Sequence, residues 1–74
     1  MKVPEIVLKE AQETLDSLGG KIVYLGKKDG YTYYVLDTAA VYGEYPIIYR
    51  YDGHKAQEMS GELALEIEEE LMVK

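Results

Sequence analysis

Apolar residues recur at helical spacing at both ends of the chain. Near the N-terminus, four of them follow one another at intervals of three or four positions and so share one face of a helix: Leu8, Ala11, Leu15 and Leu18. Pro4 is tolerated in a first helical turn, and Gly19 and Gly20 supply the left-handed backbone that commonly ends a helix. The pattern predicts a first helix from about Pro4 to Leu18.

The last part of the chain carries a second helical pattern. Leu63, Ile67 and Leu71 recur every four positions, with Ala64 beside them. Ser60 stands where an N-cap is expected, and glutamates occupy most of the remaining positions. We therefore expect a C-terminal helix from about Ser60 onward, with an acidic solvent face.

The middle of the chain has the composition of β-strands. The runs KIVYLG and YTYYVLD are rich in β-branched and aromatic residues, and residues 27–30 between them are typical of a hairpin. The segment DTAAVYGE is expected to be the longest connection. A third run, YPIIYRY, follows, with Pro46 at the start of a strand. Asp52 and Gly53 then predict a turn, after which His54 and Lys55 either extend the loop or open another short strand.

Together these elements predict one α+β domain covering residues 1–74. Its order is helix, three-stranded antiparallel sheet, helix. The simplest packing lays both helices on one face of the sheet and leaves the other face to water or to a partner.

Tyrosine is the dominant aromatic residue of the chain. All eight tyrosines lie between Tyr24 and Tyr51, and the sequence contains no phenylalanine, tryptophan or cysteine. Because a tyrosine hydroxyl needs a partner or water, the ring suits a core rim or a recognition surface. We predict a tyrosine-rich sheet face that binds another protein, assisted by the acidic helix. The predicted partner-binding residues are Tyr31, Tyr33, Tyr45, Tyr49, Tyr51, Glu66 and Glu70.

The net charge of -6 is concentrated at the C-terminal end, where residues 57–74 carry six acidic residues and one lysine. This distribution argues against binding a phosphate backbone and is compatible with a basic protein partner. Accordingly, no nucleic acid and no membrane are expected among the partners. The chain begins without the apolar run of a secretory signal and contains no apolar stretch long enough to cross a bilayer, which leads us to expect a cytoplasmic protein.

Candidate catalytic chemistry is sparse. His54 is the only histidine, and its DGH context is ordinary turn chemistry without a recognisable nucleophile beside it. Glu62, Glu66 and Glu70 share a helical face, which we interpret as a solvated acidic surface. We predict no catalytic, cofactor-binding or metal-binding residue and no cofactor, and hence a non-enzymatic protein. An enzyme or metal protein using His54 and nearby carboxylates is the weakest hypothesis.

Self-association is the alternative to binding a different protein. A chain of this size buries a small core, and without cysteine it has no disulfide to reinforce that core. A homodimer joined through a strand edge or through the tyrosine-rich face would supply the missing burial.

The stretch from Gly30 onward resembles the latter half of the SMI1/KNR4 superfamily. The segments that carry the resemblance are GYTYYVLD, YPIIYRYDG and SGELALEIEEELM, within residues 30–72. The chain is shorter than typical members, lacks their tryptophan-containing upstream segment, and keeps only Ser60 of the residues that often open the last helix. The resemblance implies a cytoplasmic binding protein, similar to relatives that act as immunity proteins against bacterial toxins, and it transfers no catalytic residue.

Overall fold

The computed structural model describes residues 3–37 and 46–72 of the chain. Two helices flank a series of strands along the sequence, which confirms the predicted α+β class. The elements are α1 (Glu5–Leu18), β1 (Lys21–Lys28), β2 (Tyr31–Asp37), β3 (Ile48–Tyr51), β4 (Ala56–Met59) and α2 (Gly61–Met72).

The strands form one antiparallel sheet in the order β1-β2-β3-β4. The sheet has four strands in the described residues, so the predicted three-stranded sheet was wrong. The additional strand is β4, whose sequence AQEM has little β propensity of its own. It pairs with β3 across the turn at Asp52. This pairing stabilises a strand conformation that the sequence of β4 does not favour by itself.

A tight turn joins β1 to β2. Asp29 and Gly30 both have positive φ, at 52° and 84°, and they separate the paired residues Lys28 and Tyr31. Two consecutive residues of positive φ match the twist of an antiparallel hairpin, which explains the preference for Asp-Gly here. Further along β1 the register shifts between Tyr24 and Gly26, which marks an irregularity in the edge strand.

The two helices pack on opposite faces of the sheet. On one face, Val7 and Ala11 of α1 form a core cluster with Ile22, Tyr34 and Tyr49. On the other face, the core residues of α2 join a second cluster, whose buried members are Tyr33, Ile48, Met59, Ala64 and Ile67. Since successive strand residues point to opposite faces, the adjacent residues of each strand divide between the two clusters.

This arrangement does not confirm the prediction that both helices lie on one face. The physical reason is visible in β2, where Tyr33 and Val35 face one side while Tyr34 and Leu36 face the other. Neither side is polar, and a strand that is apolar on both sides requires cover on both sides. The described part of the chain therefore forms three layers, with the sheet in the middle.

Each helix contacts the sheet through a narrower stripe than predicted. Val7 and Ala11 are fully buried in α1, whereas Leu8 is 39% exposed. In α2, Ala64 is fully buried, whereas Leu63 is 57% exposed and is the most exposed large apolar side chain among the described residues. Leu8 and Leu63, which belong to the predicted helical stripes, thus lie at the edges of the buried faces.

Helix α2 crosses its face of the sheet from β4 toward β1. It begins directly after β4, and its Leu71 side chain lies over Gly26 of β1. A Cβ on Gly26 would approach Leu71 Cδ2 to 3.2 Å, so the absence of a side chain there permits close contact with the helix. The part of this face that carries Tyr31 and Arg50 therefore lies to one side of the helix.

Candidate interaction surface

Two of the predicted partner-binding tyrosines are buried and lie on opposite faces. Tyr33 is 4% exposed in the cluster beneath α2, and Tyr49 is fully buried in the cluster beneath α1. Each tyrosine is a member of one core cluster. Within the described residues, Tyr33 and Tyr49 lie on opposite faces of the sheet, so one sheet face does not present both. Tyr45 lies outside the described residues.

Tyr49 connects helix α1 to the edge of the sheet. Its hydroxyl donates to Glu58 Oε1 at 2.9 Å, and the Thr14 hydroxyl of α1 donates to the same oxygen at 3.2 Å. Burial of the phenol raises the pKa of Tyr49 to about 12; the Thr14 hydrogen bond opposes this shift and the Glu58 carboxylate adds to it. Tyr49 is therefore a core residue whose hydroxyl group is hydrogen-bonded.

Tyr51 lies on the α1 side, remote from the face that carries α2. Its ring packs against the α1 cluster, and its hydroxyl donates to the Gly53 carbonyl oxygen at 3.1 Å. His54 is exposed in the same turn and lines an open cavity with Tyr51 and with Ile6 and Lys9 near the start of α1. Tyr51 thus helps to close the β3–β4 turn.

Tyr31 lies on the α2 side in a partly exposed position. The Arg50 guanidinium carbon is 4.5 Å from the centre of the Tyr31 ring, within the range of a cation–π contact. Arg50 Nη2 also donates to Gln57 Oε1 at 2.6 Å. Neighbouring strands β2, β3 and β4 therefore place Tyr31, Arg50 and Gln57 side by side on one face.

These residues border a cavity of about 300 Å³, which is also lined by Asp52, Lys55 and Ala56. The Asp52 carboxylate accepts hydrogen bonds from the backbone N–H groups of His54 and Lys55, at 2.7 and 2.8 Å. These bonds lower the pKa of Asp52 and keep it ionised within the turn. Two cationic side chains and one turn-bound carboxylate thus surround the cavity.

One exposed side of α2 carries an apolar residue and two glutamates. Leu63, Glu66 and Glu70 lie three and four residues apart and so follow one side of the helix. Glu70 forms an ion pair with Lys28, the residue that pairs with Tyr31 in the β1–β2 hairpin. This ion pair places Glu70 near the β1–β2 hairpin, at the strand position that pairs with Tyr31.

We call the combined area the α2-side surface. It consists of Tyr31, Arg50 and Gln57 on the sheet and Leu63, Glu66 and Glu70 on α2. Three of the seven predicted residues, Tyr31, Glu66 and Glu70, belong to it. Arg50 and Leu63 were not predicted, although an arginine within a short, otherwise apolar strand was a signal that could have been used.

Among residues 3–37 and 46–72, no group of three or more histidine, cysteine, aspartate or glutamate side chains is arranged to hold a metal ion. Neither described helix combines the length and apolar character needed to cross a membrane.

Comparisons with known proteins return no relative. The chain matches no protein-family model, no curated protein and no solved structure. The resemblance of residues 30–72 to the SMI1/KNR4 superfamily therefore stays a prediction.

Proposed function

We propose that this chain is a non-enzymatic protein-binding module and that its interface is the α2-side surface. The observation that carries the proposal is the exposure of Leu63, at 57%, on a helix whose neighbouring Ala64 is completely buried. An exposed large apolar side chain on the helix that covers the Tyr31 and Arg50 face of the sheet gives that side of the molecule the composition of an interface. The proposal retains Tyr31, Glu66 and Glu70 from the sequence prediction and omits the buried tyrosines.

Charge supports a particular kind of partner. Glu66 and Glu70 border Leu63 on α2, where they form an acidic rim beside an apolar centre. Rim charges of this kind steer association and select partners of complementary charge. The partner we propose has basic residues around an apolar contact. If the resemblance to the SMI1/KNR4 superfamily reflects kinship, that partner is a toxin, which the identity of a captured protein would test.

Homodimerisation through a strand edge has less support from the structure. The edge strand β1 carries Lys21 near one end and Lys27 and Lys28 near the other, so antiparallel pairing of two copies would oppose like charges. The register shift in β1 disrupts the same edge, and β4 at the opposite edge is only four residues long. Such features protect edges from pairing.

The proposed function is tested by affinity capture with a pair of matched variants. Leu63→Ser removes the apolar centre of the α2-side surface, whereas Leu8→Ser removes a leucine that is 39% exposed on α1. Circular dichroism and thermal unfolding first establish that both variants fold. We expect a protein retained by the wild type and by Leu8→Ser to be lost from Leu63→Ser, with an affinity at least about tenfold weaker.

Two results would contradict the proposal. Retention of the same proteins by Leu63→Ser with unchanged affinity would show that the α2-side surface is not the interface. Recovery of the chain alone, together with a dimer in sedimentation equilibrium, would favour self-association instead.

A further inference from the structure

Arg50 is an arginine without a carboxylate partner among the described residues. This is unexpected in a chain with a net charge of -6. The nearest acidic residue along the chain, Asp52, lines the same cavity but accepts two backbone hydrogen bonds within its own turn. A positive charge without an internal partner is therefore available at the α2-side surface.

The guanidinium of Arg50 is held in place before any ligand arrives. The Tyr31 ring lies 4.5 Å from its central carbon, and Gln57 Oε1 accepts one N–H at 2.6 Å. Fixing the planar group between a ring and an amide reduces the entropy lost on binding, and the remaining N–H groups have no acceptor within the described residues. Such a geometry suits a two-pronged hydrogen-bond acceptor.

The size and charge of the cavity narrow the ligand class. A volume of about 300 Å³ accommodates a small group on a short stem. Lys55 adds a second positive charge, while Asp52 contributes a negative one, so the local charge matches a singly charged anion better than a doubly charged phosphate. A carboxylate has the required charge and the geometry for bidentate contact with Arg50.

We propose that the cavity at Tyr31, Arg50 and Lys55 binds a carboxylate group of the protein partner, either an acidic side chain or the chain terminus. This inference rests on the proposed function and deepens it. The partner then presents a carboxylate to Arg50 while its apolar and basic residues meet Leu63 and the glutamates of α2. Because the surface then binds both a negative and a positive group of the partner, it fixes the orientation of the partner in the complex.

The experiment uses the full chain labelled with ¹⁵N and three N-acetylated pentapeptides, of which the first two are also amidated at the C-terminus. The first contains a central glutamate between leucines, the second replaces it with glutamine, and the third has the glutamine sequence with a free C-terminal carboxylate. The measured signals are the Arg50 Nε–Hε and Gln57 side-chain amide resonances. We expect the first or third peptide to shift them and the second to leave them unchanged, and the responding peptide distinguishes a side chain from a terminus.

Variants assign the effect to Arg50. We expect Arg50→Gln to weaken binding of the responding peptide at least about tenfold and Arg50→Lys, which keeps the charge but not the planar fork, to weaken it by less. Lys9→Gln is the matched control because it changes the net charge equally and lies beside the α1-side cavity. It should alter the affinity less than about twofold. If Arg50→Gln fails to fold, the peptide comparison on the wild type remains decisive.

Several results would overturn the inference. These are equal shifts with the glutamine peptide, no shift with any peptide, or unchanged affinity in Arg50→Gln. Comparable shifts with inorganic phosphate would show a general anion site rather than a carboxylate site. Loss of capture in Leu63→Ser without any peptide response would leave the proposed function standing and remove only this inference. A peptide response together with unchanged capture by Leu63→Ser would retain the carboxylate site and contradict the proposed function.

Discussion

Replacing Tyr49 with phenylalanine tests whether this tyrosine is a structural residue. The substitution keeps the fully buried ring and removes only the hydroxyl that donates to Glu58 at 2.9 Å. Because the ring still fills its site, no cavity cost is expected. The change in the free energy of unfolding therefore measures the hydrogen bond that links β3 to β4.

The magnitude follows from the surroundings of the two groups. A hydrogen bond to a charged acceptor contributes roughly 1.5 to 3 kcal/mol. Glu58 is exposed and also accepts from Thr14, so water and Thr14 offset part of the loss. We expect Tyr49→Phe to lower the free energy of unfolding by about 1 to 1.5 kcal/mol and the Tm by roughly 5 to 10 °C for a domain of this size.

Urea denaturation and thermal unfolding, both followed by circular dichroism, measure the effect. The matched control is Tyr24→Phe, because the Tyr24 ring is 38% exposed and packs edge-on against Tyr34 without a hydrogen bond from its hydroxyl in the described residues. The control should change stability by less than about 0.5 kcal/mol. Equal stability of Tyr49→Phe and the wild type, or a loss as large in Tyr24→Phe, would refute the assigned role of the Tyr49 hydroxyl.

The remaining predictions concern alkaline pH and backbone conformation. The pKa of Tyr49 is raised from 10.0 to about 12, so its protonated form contributes stability fully below the unfolded value. That contribution is lost as the pH rises from 10.0 toward 12, and the stability difference between the wild type and Tyr49→Phe should narrow over this window in urea titrations. A difference that widens would contradict the assignment. Gly19 has φ 75° and ψ -167°, a region nearly restricted to glycine, and Gly19→Ala should cost about 1 to 3 kcal/mol although no atom obstructs a Cβ there. An unchanged denaturation midpoint would show that the α1–β1 connection relaxes without cost.

The regular elements were the most predictable part of the fold. In β2, Tyr31 and Tyr33 lie on one face and Tyr34 lies on the other, as the two-residue period of a strand requires. The start of β1 and the span of α1 followed from local propensity and from the glycines after Leu18. Residue propensities and turn signals were therefore sufficient to predict elements whose conformation depends on residues nearby in the sequence.

Features that depend on distant contacts were not predictable in the same way. β4 has only Ala56 and Met59 as apolar residues, and its strand conformation depends on pairing with β3. The choice between Leu63 and Ala64 as the buried residue of α2 depends on where the helix crosses the sheet. Tyr33 and Tyr49 were predicted at the surface because a tyrosine pattern does not reveal that a helix covers each face.

The most direct measurement of the central claim is site-specific photo-crosslinking at Leu63. A photo-reactive phenylalanine analogue is placed at position 63 in one sample and at position 8 in another, and both are exposed to the lysate from which the wild type captures its partner. If the α2-side surface is the interface, position 63 forms a covalent adduct with that partner and position 8 does not. An adduct at position 8 alone, or none at position 63 while capture persists, would contradict the account.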